Sequence, residues 1–530
     1  VTINRRDFLK ISALLSASSV LRPGLELFPT RLSDNPKAKN ILIIVFDTLS
    51  ARHINFYGYP RETMPKLTKL LPRATVYHNH YASSNFTTPG TASLLTGRHV
   101  WEHLALKLTD SVREKFANQN IFSFFDDYFK IAYTHNYYAD IFLSQFRKAI
   151  TQHEFFKNHF LEFQDASMQA WIEKLFKNDF DSKILLQSRL NDKSLDGYLY
   201  SLLLPSLFKG DLFQPPDEVV SQFPRGIPMA DKQDPFILED GITWLIDRIP
   251  TLPQPFLGYF HFLPPHAPYN TRQDFVDSFK DDGYQHLAKQ PDPYTLRDRI
   301  LSYEQELKLR QNYDEFLLYV DSEFHRLFTG LDQRGILENT LLVLTTDHGE
   351  LIERGVNGHN FPDLFEPLVN IPLVMFEPGQ AERHDVHAFT SCIDLVPSLL
   401  QYTGHAVPSN LPGLILPPFR ATKVETPRTI YTLHASKNKG SSHINSATLT
   451  MRKKNMKVIR YTGYINDRRY LDRAKKLNVE PSTIDPEFLV FDLEDDPEEV
   501  DNLASQGDPE IQKLIDELEQ YYRDEIEFPE

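Results

Sequence analysis

Cysteine is almost missing from this chain: Cys392 is the one thiol among 530 residues. That excludes an internal disulfide framework, and a chain of this length can bury a core that does not need one. A basic block is lacking as well. The formal net charge is −15, with only local clusters such as Arg452, Lys453 and Lys454, which argues against nucleic acid as a partner. After the first thirty residues no apolar run is long enough to span a bilayer. No internal repeat or low-complexity linker is present. Aromatic residues, at 12%, suffice for a large core and for pocket walls. An acidic chain can still take an anionic substrate, because a bound cation dominates its local field.

Three separated segments carry chemistry. Ile41 to Phe46 reads as a buried strand that delivers Asp47 and Thr48 at its carboxyl end, the edge where open α/β sheets place ligands. Leu341 to Thr345 repeats the device and runs into Thr346, Asp347, His348, Gly349 and Glu350. Two strand ends of this kind can converge on one cation, and oxygen ligands with one imidazole suit Mn2+, Mg2+, Ca2+ or Zn2+. Between them, Asn85 to Thr91 forms a polar turn feeding a helix-compatible run to Gly97. A hydroxyl there, Thr87, would have helix N–H groups beside it that favour an anionic ester. A metal would have to lower the pKa of that hydroxyl for it to attack. Taken singly, each carboxylate also fits an ordinary turn after a strand, and Thr87 or Thr88 fits a helix N-cap.

The first thirty residues differ. Arg5 and Arg6, followed by Asp7, Phe8, Leu9 and Lys10, precede a modest apolar stretch, Ile11 to Leu21. This resembles the twin-arginine export signal of bacteria, with Ser16, Ala17 and Ser18 a weak cleavage site. It implies the twin-arginine machinery as a partner, and a periplasmic location or one on the outer face of the cytoplasmic membrane, with the leader cleaved or kept as an anchor.

The ordered motifs resemble the sulfatase family of the alkaline phosphatase superfamily. They comprise Asn40 to Leu70 with the Tyr57, Gly58, Tyr59, Pro60 turn; Tyr81 to His103 with Leu94, Leu95, Thr96, Gly97; and Phe256 to Tyr269 with Pro265, His266, Ala267, Pro268. Then come Tyr319, Val320, Asp321; Thr340 to Gly379 with His359 and a strand at Asn370 to Val374; and a tail from Phe491 to Leu503. The resemblance implies a large mixed β-sheet flanked by helices with a smaller C-terminal α+β subdomain around an antiparallel sheet. It also implies Asp47, Asp347 and His348 as ligands of one divalent ion, with Thr87 completing the shell while attacking the ester. His266 would sit over a non-bridging oxygen or the leaving group, His359 would touch the transferred group, and His103 matches a histidine that follows the Thr-Gly signature. His261, among aromatics on the strand Phe256 to Phe262, fits a core histidine or one behind the metal ligands.

The departures matter as much. Strict sulfatases carry Cys or Ser, oxidised to formylglycine, followed by x-Pro-x-Arg; here those positions hold Thr87, Pro89 and Thr91. Threonine cannot yield an aldehyde at Cβ. Thr48 stands where the family has a second aspartate. What remains resembles the threonine-dependent branches of the superfamily, phosphodiesterases, phosphonate hydrolases and phosphoglycerol or phosphoethanolamine transferases, and this favours a single Mn2+. Three functions follow: a phosphoester hydrolase or transferase acting on a small-molecule, lipid or glycan ester; a sulfuric ester hydrolase working without formylglycine; and a non-catalytic binding protein of this fold.

The expected organisation is a leader at 1–30, a catalytic domain at 40–423 with a mostly helical insert at 149–228 suited to a lid, and a C-terminal subdomain at 426–530. Strands are expected at Thr429 to Leu433, Ala447 to Met451 and Lys457 to Tyr461, closed by a helix at Pro509 to Arg523. Cys392, beside Leu395 and Val396, reads as a small buried hydrophobe.

Overall fold

The computed structural model describes residues 39–155 and 217–528, apart from 232–233, 236, 292–293, 295–299, 420–427, 439–442, 466, 477, 479 and 481–482. The leader, and the expected helices at 170–176 and 198–204 of the insert, lie outside the described residues.

The apolar runs that end in Asp47 and Asp347 are neighbouring central strands of one eight-stranded sheet. From one edge to the other its order is His384–Val386, Thr75–Tyr77, Leu373–Phe376, Thr340–Thr345, Asn40–Phe46, Phe256–Phe262, Phe129–Thr134 and Gln152–Phe155. Leu373–Phe376 pairs antiparallel with both its neighbours, and the other pairs are parallel, so the sheet is mixed. The central strands are apolar throughout because both faces are covered. Leu42, Ile44 and Phe46 pack on one face with Phe316 and Val320 of the long helix Tyr303–Gln333 and Leu245 of Leu238–Arg248. Ile41, Ile43 and Val45 pack on the other with Ala92 and Leu95 of Thr87–Thr96 and Leu399 of Leu395–Thr403.

Asn370 and Ile371 do not begin the strand expected there. Their backbone groups bond to Ala51 and His80, Pro372 has no N–H to give a ladder, and pairing starts at Leu373. Asp321, in the long helix, caps another: its carboxylate accepts from the Lys66 and Leu67 N–H groups at the start of Pro65–Leu70.

The C-terminal part is a four-stranded antiparallel sheet, Thr429–His434, Ala447–Lys453, Met456–Thr462 and Glu487–Asp492. The fourth strand contains the start of the tail motif. Ile515 and Leu518 of helix Pro509–Tyr521 pack on this sheet, and the helix passes into a wider π turn over Tyr522–Ile526. The edge strand Thr429–His434 docks on the segment leading to Thr87: the Leu433 N–H donates to the Ser83 carbonyl, Ser84 Oγ to the Leu433 carbonyl, and Thr432 Oγ1 to the Ala82 carbonyl.

Candidate active site and metal centre

Register aligns the two acids. Val45 pairs with Thr345, so Asp47 and Asp347 emerge side by side two residues further on. Val45 also pairs with His261 on the other neighbouring strand, and His261 in turn pairs with Thr134. Four adjacent strands therefore bring carboxylates and an imidazole to one edge, and Asp47, Asp347 and His348 each offer a ligand atom within 4.8 Å of one another. All three are fully buried.

Helix Thr87–Thr96 reaches this edge through a close approach that only glycine allows. A Cβ on Gly90 would lie 2.5 Å from the Asp347 carbonyl oxygen. The approach sets Thr87 Oγ1 3.5 Å from Asp47 Oδ2 and 3.4 Å from His348 Nε2. One turn later Thr91 Oγ1 donates to Asp347 Oδ2 at 3.2 Å. Pro89 is tolerated because it falls in the first helical turn, where the missing N–H costs no bond.

The ring of His348 is held by its Nδ1–H, which donates to the Gly349 carbonyl at 2.9 Å, so the Nε2 lone pair points to the carboxylates, 3.3 Å from Asp47 Oδ1 and 3.8 Å from Asp347 Oδ2. His261 Nε2 lies 3.4 Å from Asp47 Oδ2 and 3.9 Å from Asp347 Oδ2, and its Nδ1 meets the Tyr259 hydroxyl at 3.0 Å. Of the two roles open to His261, this geometry selects the one against the carboxylates.

Sequence reasoning missed Asn136. It follows the strand Phe129–Thr134, its side-chain oxygen caps helix Tyr137–Gln145, and its Nδ2 donates to Asp47 and reaches Thr87 Oγ1 at 3.5 Å. Its one sequence signal, a place just past the carboxyl edge of a strand, is shared by any capping asparagine.

Burial pushes both carboxyls up. At Asp47 the His261 ring and the charges of His348 and His266 more than reverse this, and the group sits well below the usual carboxylate range. At Asp347 burial and the Asp47 charge together keep it raised. Burial lowers His348 despite both aspartates, whereas at His261 the two aspartates outweigh burial and raise it. Asp47 Oδ1 and His261 Nε2 are buried atoms without a hydrogen-bond partner among the described residues. An orphaned carboxylate oxygen, a second buried carboxylate and an outward Nε2 lone pair form a donor set that fits one hard or borderline divalent ion.

His266 and His359 stand at the mouth, both partly exposed. The His359 ring lies 4.5 Å from that of His348 and 4.8 Å from that of His266, and its Nδ1 faces Glu350 Oε1 at 3.2 Å. His266 turns its Nδ1 to the Ala267 carbonyl at 2.7 Å. His103 is placed differently from the expectation. Its Nδ1 accepts from the Ala105 N–H at 3.1 Å and its Nε2 meets Ser93 Oγ at 2.9 Å. It is fully buried, and burial pushes its pKa down to about 3, so it braces helix Thr87–Thr96 as a neutral ring. Thr48, in place of the family's second aspartate, has left-handed backbone at φ 63° and a buried hydroxyl without a partner among the described residues. Cys392 is fully buried against Ser83 and raised to about 11, as an inert thiol should be.

Residues 39–405 match the profile of the family described as Sulfatase. The chain belongs to the sulfatase family. Its candidate metal site lies within the matched segment. Among curated sulfatase relatives it is similar to arylsulfatase K of Bos taurus, 27% identical over 218 residues that make up 40% of this chain and 36% of that protein. It is also similar to the low-salt glycan biosynthesis sulfotransferase Agl7 of Haloferax volcanii, 30% identical over 173 residues, 32% of this chain and 37% of that one. The matches thus span little more than a third of these relatives. Among solved structures, the phosphonate monoester hydrolase of Silicibacter pomeroyi superposes with a TM-score of 0.62 at 18% identity, covering 92% of this chain and 96% of that one. BT1596, a 2-O GAG sulfatase, does so at 0.57 and 16%, covering 92% of each. At such identities the likeness is one of fold.

Proposed function

We propose that the protein cleaves a phosphoester, whether a phosphodiester, a phosphonate ester or a phosphomonoester, or transfers its phosphoryl-linked group, through a covalent intermediate on Thr87. The observation that carries this reading is the Thr87 hydroxyl, held at a helix start within reach of Asp47 and His348. Asp47, Asp347 and His348, with Thr87, would hold one divalent ion, Mn2+ by preference. Such an ion neutralises the ester oxygens and acidifies a hydroxyl beside it. Thr87 Oγ attacks phosphorus, its proton passing to the acceptors beside it, while the helix N–H groups face the anionic ester. His266 or His359 at the mouth supplies the proton that the departing alkoxide needs. Asn136 and His261 fix the orientation of Asp47. His103 acts only through the helix it braces. Water or an acceptor alcohol then releases phosphothreonine.

A sulfuric ester is the second reading, favoured by the similarity to arylsulfatase K and to a sulfotransferase. Against it stands the chemistry of Thr87: a sulfated threonine has no neighbouring hydroxyl to expel sulfate, whereas phosphothreonine is released by in-line attack. Matched phosphodiester, phosphonate and sulfate esters, assayed with metal-analysed protein, separate the readings. We expect a higher kcat/KM for the phosphorus esters; a preference for sulfate would replace the first reading with the second. The substrate is a small-molecule, lipid or glycan ester; a glycan is supported by two structures of similar fold, one a 2-O GAG sulfatase and the other in complex with a neocarrahexaose.

Residues 1–30 are proposed to direct export through the twin-arginine machinery to the periplasm or the outer face of the cytoplasmic membrane, with Arg5→Lys and Arg6→Lys together expected to hold the enzyme in the cytoplasm. Among the described residues no helix is long and apolar enough to cross a membrane.

A further inference from the structure

Beside the metal cluster, but not including it, lies a cavity of about 510 Å3 between the loops at 107–109 and 360–362 and the C-terminal part, within the usual range of small-molecule sites. None of Asp47, Thr87, Asp347 or His348 lines it. Its walls are nevertheless tied to the segment that carries Thr87. Thr88 Oγ1 donates to the Leu108 carbonyl at 2.8 Å, the Asn360 N–H to the Asn85 carbonyl at 3.2 Å, and Asn85 Oδ1 meets His434 Nδ1 at 2.8 Å. Leu108, Asn360 and His434 are all wall residues, so Asn85 to Thr88 is a partition between cluster and cavity.

The cavity's charge runs against that of the whole chain. Lys107, Lys437 and Arg473 line it, and among the described residues no aspartate or glutamate does, although the chain carries −15. Asp467 engages the Lys437 ammonium from behind the wall. The Lys107 ammonium, half-buried, has no ion pair or hydrogen bond among the described residues. The remaining lining includes the rings of Tyr294, Phe361 and Tyr470. Cations among aromatic faces and hydroxyls suit a ring-shaped polar group bearing a compact oxyanion, and suit an acyl chain poorly.

We infer that this cavity binds a second acidic group of the substrate, a carboxylate or sulfo group on a sugar ring linked to the scissile ester, with Lys107 as its principal partner. The inference rests on the ester-cleaving reading above, but its test measures binding and not turnover. Turnover that survives Thr87→Ala would remove that reading and leave this result standing.

The experiment is titration calorimetry on the full chain with methyl β-D-glucuronide for the carboxylate, sulfoquinovose for the sulfo group and methyl β-D-glucoside as the neutral control. None of these carries an ester to cleave. At least one acidic sugar is expected to bind about tenfold more tightly than the glucoside, as one charge-assisted hydrogen bond would give, and Lys107→Gln is expected to abolish that difference. Lys437→Gln should weaken it less, because that ammonium is already paired with Asp467. Whichever acid binds identifies the group. Equal binding of all three sugars, or acidic binding that Lys107→Gln leaves intact, would overturn the assignment, the latter because Lys107 would then not be the anion's partner.

Discussion

Two buried pairs of carboxylates in this molecule look alike in burial and differ in what balances them. Glu366 and Glu499 meet where the C-terminal sheet docks, and Lys457 lies 3.0 Å from one and 2.7 Å from the other. Burial pushes Glu366 up, and Lys457 and Arg452 more than reverse it; Glu499 stays raised by burial. Asp47 and Asp347 split in the same way, one lowered and one raised, yet the groups that lower Asp47 are imidazoles. His348 among them is itself driven towards neutrality by burial. The first pair carries its own permanent cation and is a closed structural joint. The second has no such cation of its own and offers a donor set that fits one, and the Thr87 hydroxyl stands beside it.

Breaking the second pair's partner should have the largest effect on chemistry. Thr87→Ala is expected to lower kcat/KM by about two to four decades while thermal unfolding stays near that of the wild type, and Thr87→Ser should keep part of the activity. Breaking the first pair should act on stability. Lys457→Met strands two buried carboxylates and should cost about 3–5 kcal/mol in urea unfolding, with no dependence on added metal. The metal dependence should appear in the wild type, where a divalent ion at a hundredfold excess over its Kd adds about 2.7 kcal/mol, and a chelator removes it. Asp347→Asn should erase that increment. A smaller effect is expected at Asn136, which touches the metal pair without belonging to it: Asn136→Ala should weaken metal affinity or activity about 10- to 100-fold.

A further lever, pH, acts on groups outside both pairs. Burial holds His80, His99, His103 and His434 at about 3, against an ordinary value of 6.5. Below pH 6.5 the unfolded chain takes up protons that the folded one refuses, so these four groups reduce stability as pH falls from about 6.5 towards 3. Asp321, raised by burial to about 6, acts in the opposite sense from pH 6 down to its unfolded value of 3.8. His286, lowered by burial to about 4, acts with the four, and five groups against one predict a net loss of unfolding free energy between pH 7 and pH 5, measurable by urea titration at each.

Much of this was legible in the sequence because the site lies at the ends of apolar strands. The runs before Asp47 and Asp347 announce themselves by composition, and parallel register then places the two acids together without further information. Cys392 and the antiparallel C-terminal strands were legible for the same reason, since burial and alternation leave a local trace. Asn136 was not, because a capping asparagine after a strand looks the same whether or not its amide faces a carboxylate. His103 misled through its place after Gly97; what decides its role is the Ala105 N–H, a bond no motif encodes. Asn370 misled because the start of a strand depends on which backbone groups are already engaged elsewhere.

The central claim is that the second carboxylate pair holds a divalent ion against Thr87. Elemental analysis of dialysed, catalytically active protein tests it most directly. The account predicts one divalent ion per wild-type chain and none when Asp47 and Asp347 are both changed to Ala. Active wild-type protein that carries no divalent ion would contradict it.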